Sequence, residues 1–216
     1  GLERIRFTSP HPKGDGEDLG ESYGRLPKLV ENAHLPVQSG SDRMLKLMHR
    51  GYTRDRFVEL VNQLRAVRPG IGVGTDIIVG FPGETEEDFE HTLSLCKQVK
   101  FDNAFLFKYS KRRDTPAASM PDQLPEELIE ERHAHLMEVT DEIRQRKLQD
   151  YVGRRMEVLV EGYSRRNTER LEGRTRCNKI VIFEGGDRFI GQVLEVEIES
   201  ATKTTLYGNP AIINLN

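Results

Sequence analysis

The sequence predicts an α/β unit built on a parallel sheet, followed by a small all-β unit. Three observations carry this. Over residues 1–120, short apolar strand-like runs alternate with amphipathic helical stretches, and the connections are long enough for crossovers. Residues 126–149 then read as one long charged helix, so that 121–150 is expected to be a linker helix. From Tyr151 to residue 216 the helical period gives way to short alternating runs punctuated by glycine, as in a small antiparallel barrel or sandwich.

The chain has 216 residues, a formal net charge of −3 and no Trp. That length accommodates one large domain, or one medium and one small. No stretch is apolar enough for a membrane span, and no signal peptide opens the chain, so no membrane partner is expected. Cys96 and Cys177 are far apart and form neither a disulfide framework nor a metal motif, which fits a reducing cytosol and a cytoplasmic setting. The chain begins at Gly1, without Met, and runs straight into a strand-like segment, which suggests a fragment.

In chain order, residues 2–9 alternate, with Ile5 and Phe7 on one side and Arg4, Arg6 and Thr8 on the other, predicting a strand. A loop over Pro10–Gly16 follows, and a short helix is expected around 26–32. Residues 34–38 (H-L-P-V-Q) are a second strand, weakened by Pro36. Ser39-Gly40-Ser41 turns, and Ser41 caps a short helix over 42–49. Thr53 opens the next helix, whose stripe is Phe57, Leu60, Val61, Leu64 and Val67; Pro69-Gly70 ends it.

The best-defined stretch is 74–89, G-T-D-I-I-V-G-F-P-G-E-T-E-E-D-F. Ile77, Ile78 and Val79 form a buried strand, Gly80, Pro82 and Gly83 a turn, and Thr85 with Asp88 a helix cap. Acids rather than a Lys stand at the helix start, which argues against a phosphate cradle. Asp76, a carboxylate within an apolar run, needs partners and points to a cavity. A fourth strand is expected over 103–109, then a loop over 111–125. Ligand sites of parallel α/β folds lie at carboxy-terminal strand ends, and polar residues on several strands (Arg6, Thr8, His34, Gln38, Asp76, Lys108) suggest a central pocket there. In the second domain Arg154, Arg155, Arg165, Arg166, Arg170, Arg174, Arg176 and Lys179 crowd the first half, a pattern suited to nucleic acid. His133 and His135, on the long helix, read as surface residues rather than ligands.

Several segments together resemble one family: H-L-P-V-Q-S-G-S (34–41), M-H-R-G-Y-T-R (48–54), T-D-I-I-V-G-F-P-G-E-T-E-E-D-F (75–89), F-K-Y-S…T-P-A-A (107–118) and E-G-R-T-R-C-N-K (172–179), with R-F-T-S-P-H-P (6–12) also fitting. These motifs resemble the MiaB-type methylthiotransferases, which are radical S-adenosylmethionine enzymes. The resemblance implies an incomplete radical-SAM (β/α)6 partial barrel over 1–120, followed by an OB-like TRAM barrel that binds RNA. It implies S-adenosylmethionine and two 4Fe-4S clusters as cofactors, a reducing electron donor, and a tRNA anticodon stem-loop as partner. The implied reaction replaces a C2–H of a hypermodified adenosine, isopentenyladenosine for this branch, with a methylthio group. The alternatives are a threonylcarbamoyladenosine tRNA methylthiotransferase, a ribosomal-protein methylthiotransferase and a non-catalytic RNA-binding module.

The family's C-x3-C-x2-C cluster motif is absent from these 216 residues, and neither Cys96 nor Cys177 substitutes for it, so this chain alone is expected to be inactive. Asp114 stands where the family usually has Gly. By resemblance, Gln38 and Ser39 are expected at the polar part of S-adenosylmethionine, Phe107 and Tyr109 near its adenine, and Asp76 nearby. Arg165, Arg166, Arg174, Arg176 and Lys179 are expected to bind RNA.

Overall fold

The computed structural model describes residues 2–6 and 16–211. Thr8, the end of the first expected strand, most of the loop after it, and Ile212 and Leu215 lie outside the described residues. The chain divides into two compact units, Gly1–Leu29 with Ala33–Ile143, and Val30–Asn32 with Arg144–Asn216.

The first unit contains α1 (Gly16–Arg25), most of β1 (Asn32–His34), α2 (Asp42–Leu47), α3 (Arg54–Val67), β2 (Gly72–Val79), α4 (Glu86–Val99) and β3 (Asn103–Lys108), and most of α5 (Glu126–Gln149). The sheet order is β1-β2-β3, with β2 and β3 parallel. Val73, Ile77 and Val79 of β2 are buried with Phe57, Leu60 and Leu64 of α3, Phe89, Leu93 and Cys96 of α4, and Leu136 of α5. Gly74, Asp76 and Ile78 point to the opposite face, because successive side chains on a strand alternate. There Asp76 lies opposite Phe105, and Ile78 opposite Phe107.

Two expectations are corrected. The first helix runs over Gly16–Arg25 rather than 26–32. Leu19 and Tyr23, one helical turn apart, are buried on it, the Leu26 N–H closes on the Ser22 carbonyl, and Pro27 follows. The strand at 34–38 is interrupted, because Pro36 has no N–H to give. The Leu35 N–H reaches the Gly74 carbonyl and the Gln38 N–H the Asp76 carbonyl, so three residues advance against two. The Thr75 hydroxyl fills the gap, accepting from the Val37 N–H at 3.0 Å and donating to the Leu35 carbonyl at 2.8 Å. Gln38 ends this bulge in the left-handed region, at φ 73°.

The second unit is a closed barrel of β4 (Arg155–Tyr163), β5 (Leu171–Thr175), β6 (Ile180–Phe183), β7 (Val193–Ala201) and β8 (Leu206–Pro210), in the order β4-β5-β6-β8-β7. Closure removes open strand edges. All neighbours are antiparallel except β6 and β8. Val158, Val160, Val181, Phe183, Val196 and Ile198 fill the interior, with Leu148 from the end of α5. Alternation then places Ile180 and Ile182 on the outside of the barrel.

Candidate cofactor wall and nucleic-acid interface

The turn after β2 is a hub of buried charge rather than an anion cradle. Thr85 and Asp88 form a reciprocal capping box at the start of α4. Asp88 also accepts from the Ser41 hydroxyl at 2.5 Å and pairs with the Arg43 guanidinium, which reaches the Gly83 carbonyl as well. Burial opposes ionisation of Asp88, but hydrogen bonds from Arg43, Ser41 and both the N–H and hydroxyl of Thr85 outweigh it and hold the carboxyl well below the usual carboxylate range. A depressed folded value contributes stability above the unfolded pKa of about 3.9, lost as pH falls through the folded value. Asp88→Asn is therefore expected to lower the urea midpoint at pH 7 and to shrink the loss of stability on acidification below about pH 4. An unchanged acid profile would contradict this assignment.

The M-H-R-G-Y-T-R motif serves the same region. The Tyr52 hydroxyl donates to the Pro36 and Val37 carbonyls at 3.0 and 3.1 Å, holding the bulge from behind, and burial pushes its pKa up to about 12. The Thr53 hydroxyl caps α3. The Arg54 guanidinium clasps α4 through the His91 carbonyl, Ser94 and Gln98. Asp114, the departure from the family glycine, sits at φ 64°, a backbone region that favours Gly.

The face of the sheet turned from the helices carries the candidate cofactor wall. His34 Nε2 lies 3.1 Å from Asp76 Oδ1, which answers the need of that carboxylate for a partner. The His34 ring meets Phe105 edge-on at 5.7 Å. Phe105 and Phe107 are each half exposed. Tyr109 packs edge-on to Phe81 at 5.4 Å, and its hydroxyl is buried with no hydrogen-bond partner among the described residues. Gln38 stands at the same strand ends, with its N–H on the Asp76 carbonyl and its carbonyl receiving the Ile78 N–H. The structure thus brings Gln38, Asp76, Phe107 and Tyr109 to one end of one sheet.

Ser39 and Lys108 are not part of that arrangement. Ser39 is fully buried; its hydroxyl lies 3.3 Å from Thr92 Oγ1 and accepts from the Ser41 N–H, so the residue is taken up in docking the strand end onto α4. Lys108 pairs with Glu130 of α5 at 3.0 Å, on the side away from the open face. His133 is partly buried, its Nε2 lying 3.3 Å from the Leu106 carbonyl, while His135 is exposed.

Neither cysteine is available to a cluster. Cys96 is fully buried in α4, where desolvation pushes its thiol up to about 12, and Cys177 is 7% exposed in the barrel unit. No group of three or more His, Cys, Asp or Glu that could hold a metal occurs among the described residues. Both thiols are expected to react slowly with an aromatic disulfide reagent in the native protein and rapidly in denaturant. Fast native titration would contradict this burial. Among the described residues no helix is long and apolar enough to cross a membrane.

In the barrel unit, a groove of about 560 Å³ lies over β5, β6 and β8 and the β4–β5 loop. Arg165, Arg166, Arg170 and Arg174 line it with Ile182 and Tyr207, which are paired across β6 and β8 on the outer surface. Arg165 and Arg166 are exposed and have no ion pair among the described residues. Arg174 is steadied by Glu161 at 3.1 Å, and Arg170 lies 3.5 Å from Glu184. Cations around a flat aromatic ring suit a phosphate chain and an unstacked base.

Two of the expected RNA residues are not in this groove. Arg176 is paired with Glu31 at 2.6 Å, and Lys179 is 6% exposed with its ammonium 6.0 Å from the Tyr151 ring centre. The lining of the groove includes Arg170 and Tyr207 instead. The outward alternation of Ile180 and Ile182, set against the β8 register, is the signal that finds Tyr207.

Comparison with known proteins gives the class. The Radical SAM superfamily matches residues 1–96, and the TRAM domain matches residues 149–211. Three relatives share one description, tRNA-2-methylthio-N(6)-dimethylallyladenosine synthase. That of Methylacidiphilum infernorum is 50% identical over 215 residues, 100% of this chain and 46% of that protein. That of Akkermansia muciniphila is 50% identical over 97% of this chain and 46% of its own length, and that of Moorella thermoacetica 50% over 96% and 47%. This chain belongs to the MiaB-type methylthiotransferase family, and it spans about half the length of the curated relatives it matches. Among solved structures, coproporphyrinogen III oxidase (HemN) from Escherichia coli aligns with TM-score 0.49 at 13% identity, over 91% of this chain and 49% of that chain, too loose a likeness to bear on function.

Proposed function

We propose that this chain is the portion of a tRNA-2-methylthio-N6-isopentenyladenosine synthase that supplies one wall of the cofactor barrel and the RNA-binding barrel. Residues 1–120 form the wall, 121–150 the connecting helix and 151–216 the RNA-binding domain. The observation that carries the reading is 50% identity to synthases of this kind along the whole of this chain. The open face fits the adenosine part of S-adenosylmethionine, with Phe107 and Tyr109 as apolar cover and the unpartnered Tyr109 hydroxyl as a polar contact. When bound, that cofactor supplies the methyl group and the radical chemistry. The two cysteines do not fit a 4Fe-4S cluster, since both are buried and they lie in separate units. The clusters therefore need ligands other than these two cysteines, and the reaction needs a reducing electron donor as a partner, in a cytoplasmic setting.

The partner is a tRNA anticodon stem-loop, held in the Arg165–Arg166 groove. The purified chain is expected to bind such an RNA with strong salt dependence. Changing Arg165 and Arg166 together to Ala is expected to weaken binding on the order of tenfold or more at low salt and to flatten the log–log salt slope by about 1.4. Arg176→Ala, which breaks a pair with Glu31, is expected to leave that slope unchanged. Equal slopes for wild type and the double variant would overturn the groove assignment.

A further inference from the structure

The first unit holds a second concavity, of about 800 Å³, which shares Ile78 with the open sheet face and Arg43 with the acidic turn. It lies beside the carboxy-terminal end of β2. Its floor is apolar, made by Leu47, Met48, Ile78, Phe81, Ala117 and Met120. Its rim carries the cations of Arg43, Lys46 and Arg50 with His49 beside them, and no carboxylate lines it. Arg43 is committed to Asp88 and the Gly83 carbonyl. Lys46 is exposed and Arg50 half-buried, and neither has an ion pair among the described residues. The rim is fixed by the backbone. His49 takes φ 55°, and the Arg50 N–H closes onto the Leu45 carbonyl at 2.9 Å.

An apolar floor under a cationic rim selects a ligand that is greasy at one end and anionic at the other. A sulfonium cofactor does not fit this description, because the fixed charges of Lys46 and Arg50 repel it and no acid compensates. A nucleotide with an alkylated base does. We propose that this cavity receives the target nucleotide itself: the apolar N6 substituent of its adenine enters the floor between Met48, Phe81 and Met120, and its flanking phosphates meet Lys46 and Arg50. The inference rests on the tRNA reading above and deepens it. It makes these residues the determinants that favour a prenyl group over a threonylcarbamoyl group, whose carboxylate and amide would be stripped of water against Leu47, Ile78 and Ala117.

The test uses the chain with three anticodon stem-loop RNAs of one sequence, followed by fluorescence anisotropy. One carries N6-dimethylallyladenosine, one N6-threonylcarbamoyladenosine and one plain adenosine at the target position. The prenylated RNA is expected to bind at least about tenfold more tightly than either of the others, since each buried carbon is worth about fourfold. Ala117→Trp fills the floor and is expected to abolish this preference, bringing the prenylated RNA down to the affinity of the plain RNA. Lys46→Gln is expected to weaken all three RNAs and lower the salt slope by about 0.7. Equal affinity of the wild-type chain for the three RNAs overturns the pocket and leaves the barrel groove standing; binding to none of them overturns both. The wild-type comparison involves no variant, so a misfolded Ala117→Trp protein does not protect the proposal. A Met120→Trp variant fills the same floor from the other side and is expected to give the same loss.

Discussion

Arg132→Met is expected to destabilise the first unit by about 3–5 kcal/mol at neutral pH, the usual cost of leaving one member of a buried ion pair alone. Arg132, on α5, and Glu84, in the turn after β2, are 2.9 Å apart with side chains 5% and 1% exposed. Arg132 also reaches the Glu84 carbonyl and Glu86, and lies over the Phe89 ring. Burial raises the Glu84 pKa, and the Gly80 N–H and Arg132 pull it back only in part. With Met at position 132 that restraint is gone, and Glu84 must either stay charged in an apolar site or take up a proton. A raised folded pKa gives stability that is fully present below the unfolded pKa, about 4.3, and is lost as pH rises through the folded value. The variant's deficit, read from urea midpoints, is therefore expected to be smaller at pH 5 than at pH 8. Arg132→Met with Glu84→Gln is expected to recover part of the loss. A deficit below about 1 kcal/mol at pH 8, or one independent of pH, would show that the pair does not bear on stability.

Gly40→Ala is the second large effect. A Cβ on Gly40 would run into the His91 carbonyl oxygen and lie 2.6 Å from Thr92 Cα and 2.8 Å from the His91 carbonyl carbon. These are backbone atoms of α4, not the flexible end of a side chain, so the strand end and the helix must separate. The Gly40 N–H also donates to the Thr92 hydroxyl at 3.0 Å, and the neighbouring Ser39 and Ser41 hydroxyls bind Thr92 and Asp88. Moving this contact displaces all three. Overpacking costs about 1–3 kcal/mol where side chains yield, and contact with backbone places this substitution at or above the upper end, about 3 kcal/mol. Thr92→Ala would remove two of the same hydrogen bonds without the clash and is expected to cost less, about 1–2 kcal/mol. A Gly40→Ala protein with the wild-type melting midpoint would contradict the close packing of S-G-S against α4.

The β2–turn–α4 stretch was legible because each local signal agreed with its neighbours: β-branched residues, then Gly and Pro, then a Thr–Asp box. The α5 boundaries also follow from pattern alone. The role of Ser39 was not legible. Its use depends on Thr92, 53 residues away, and tertiary pairing leaves no local trace. Lys108 misled for a related reason: strand alternation fixes which residues share a face, but not which face meets the helices. In the barrel, a count of arginines could not separate Arg165 and Arg166, which are open to solvent, from Arg176, which Glu31 occupies. In the motif M-H-R-G-Y-T-R, which carries part of the family resemblance, Tyr52, Thr53 and Arg54 act by bracing the bulge, capping α3 and clasping α4.

If this chain serves the methylthiolation of a prenylated adenosine in tRNA, as we propose, mass spectrometry of tRNA nucleosides from cells with and without the gene that encodes it will show this. 2-Methylthio-N6-isopentenyladenosine is expected to disappear on deletion while N6-isopentenyladenosine accumulates in its place. Unchanged levels of both nucleosides would contradict it and move the substrate away from prenylated tRNA.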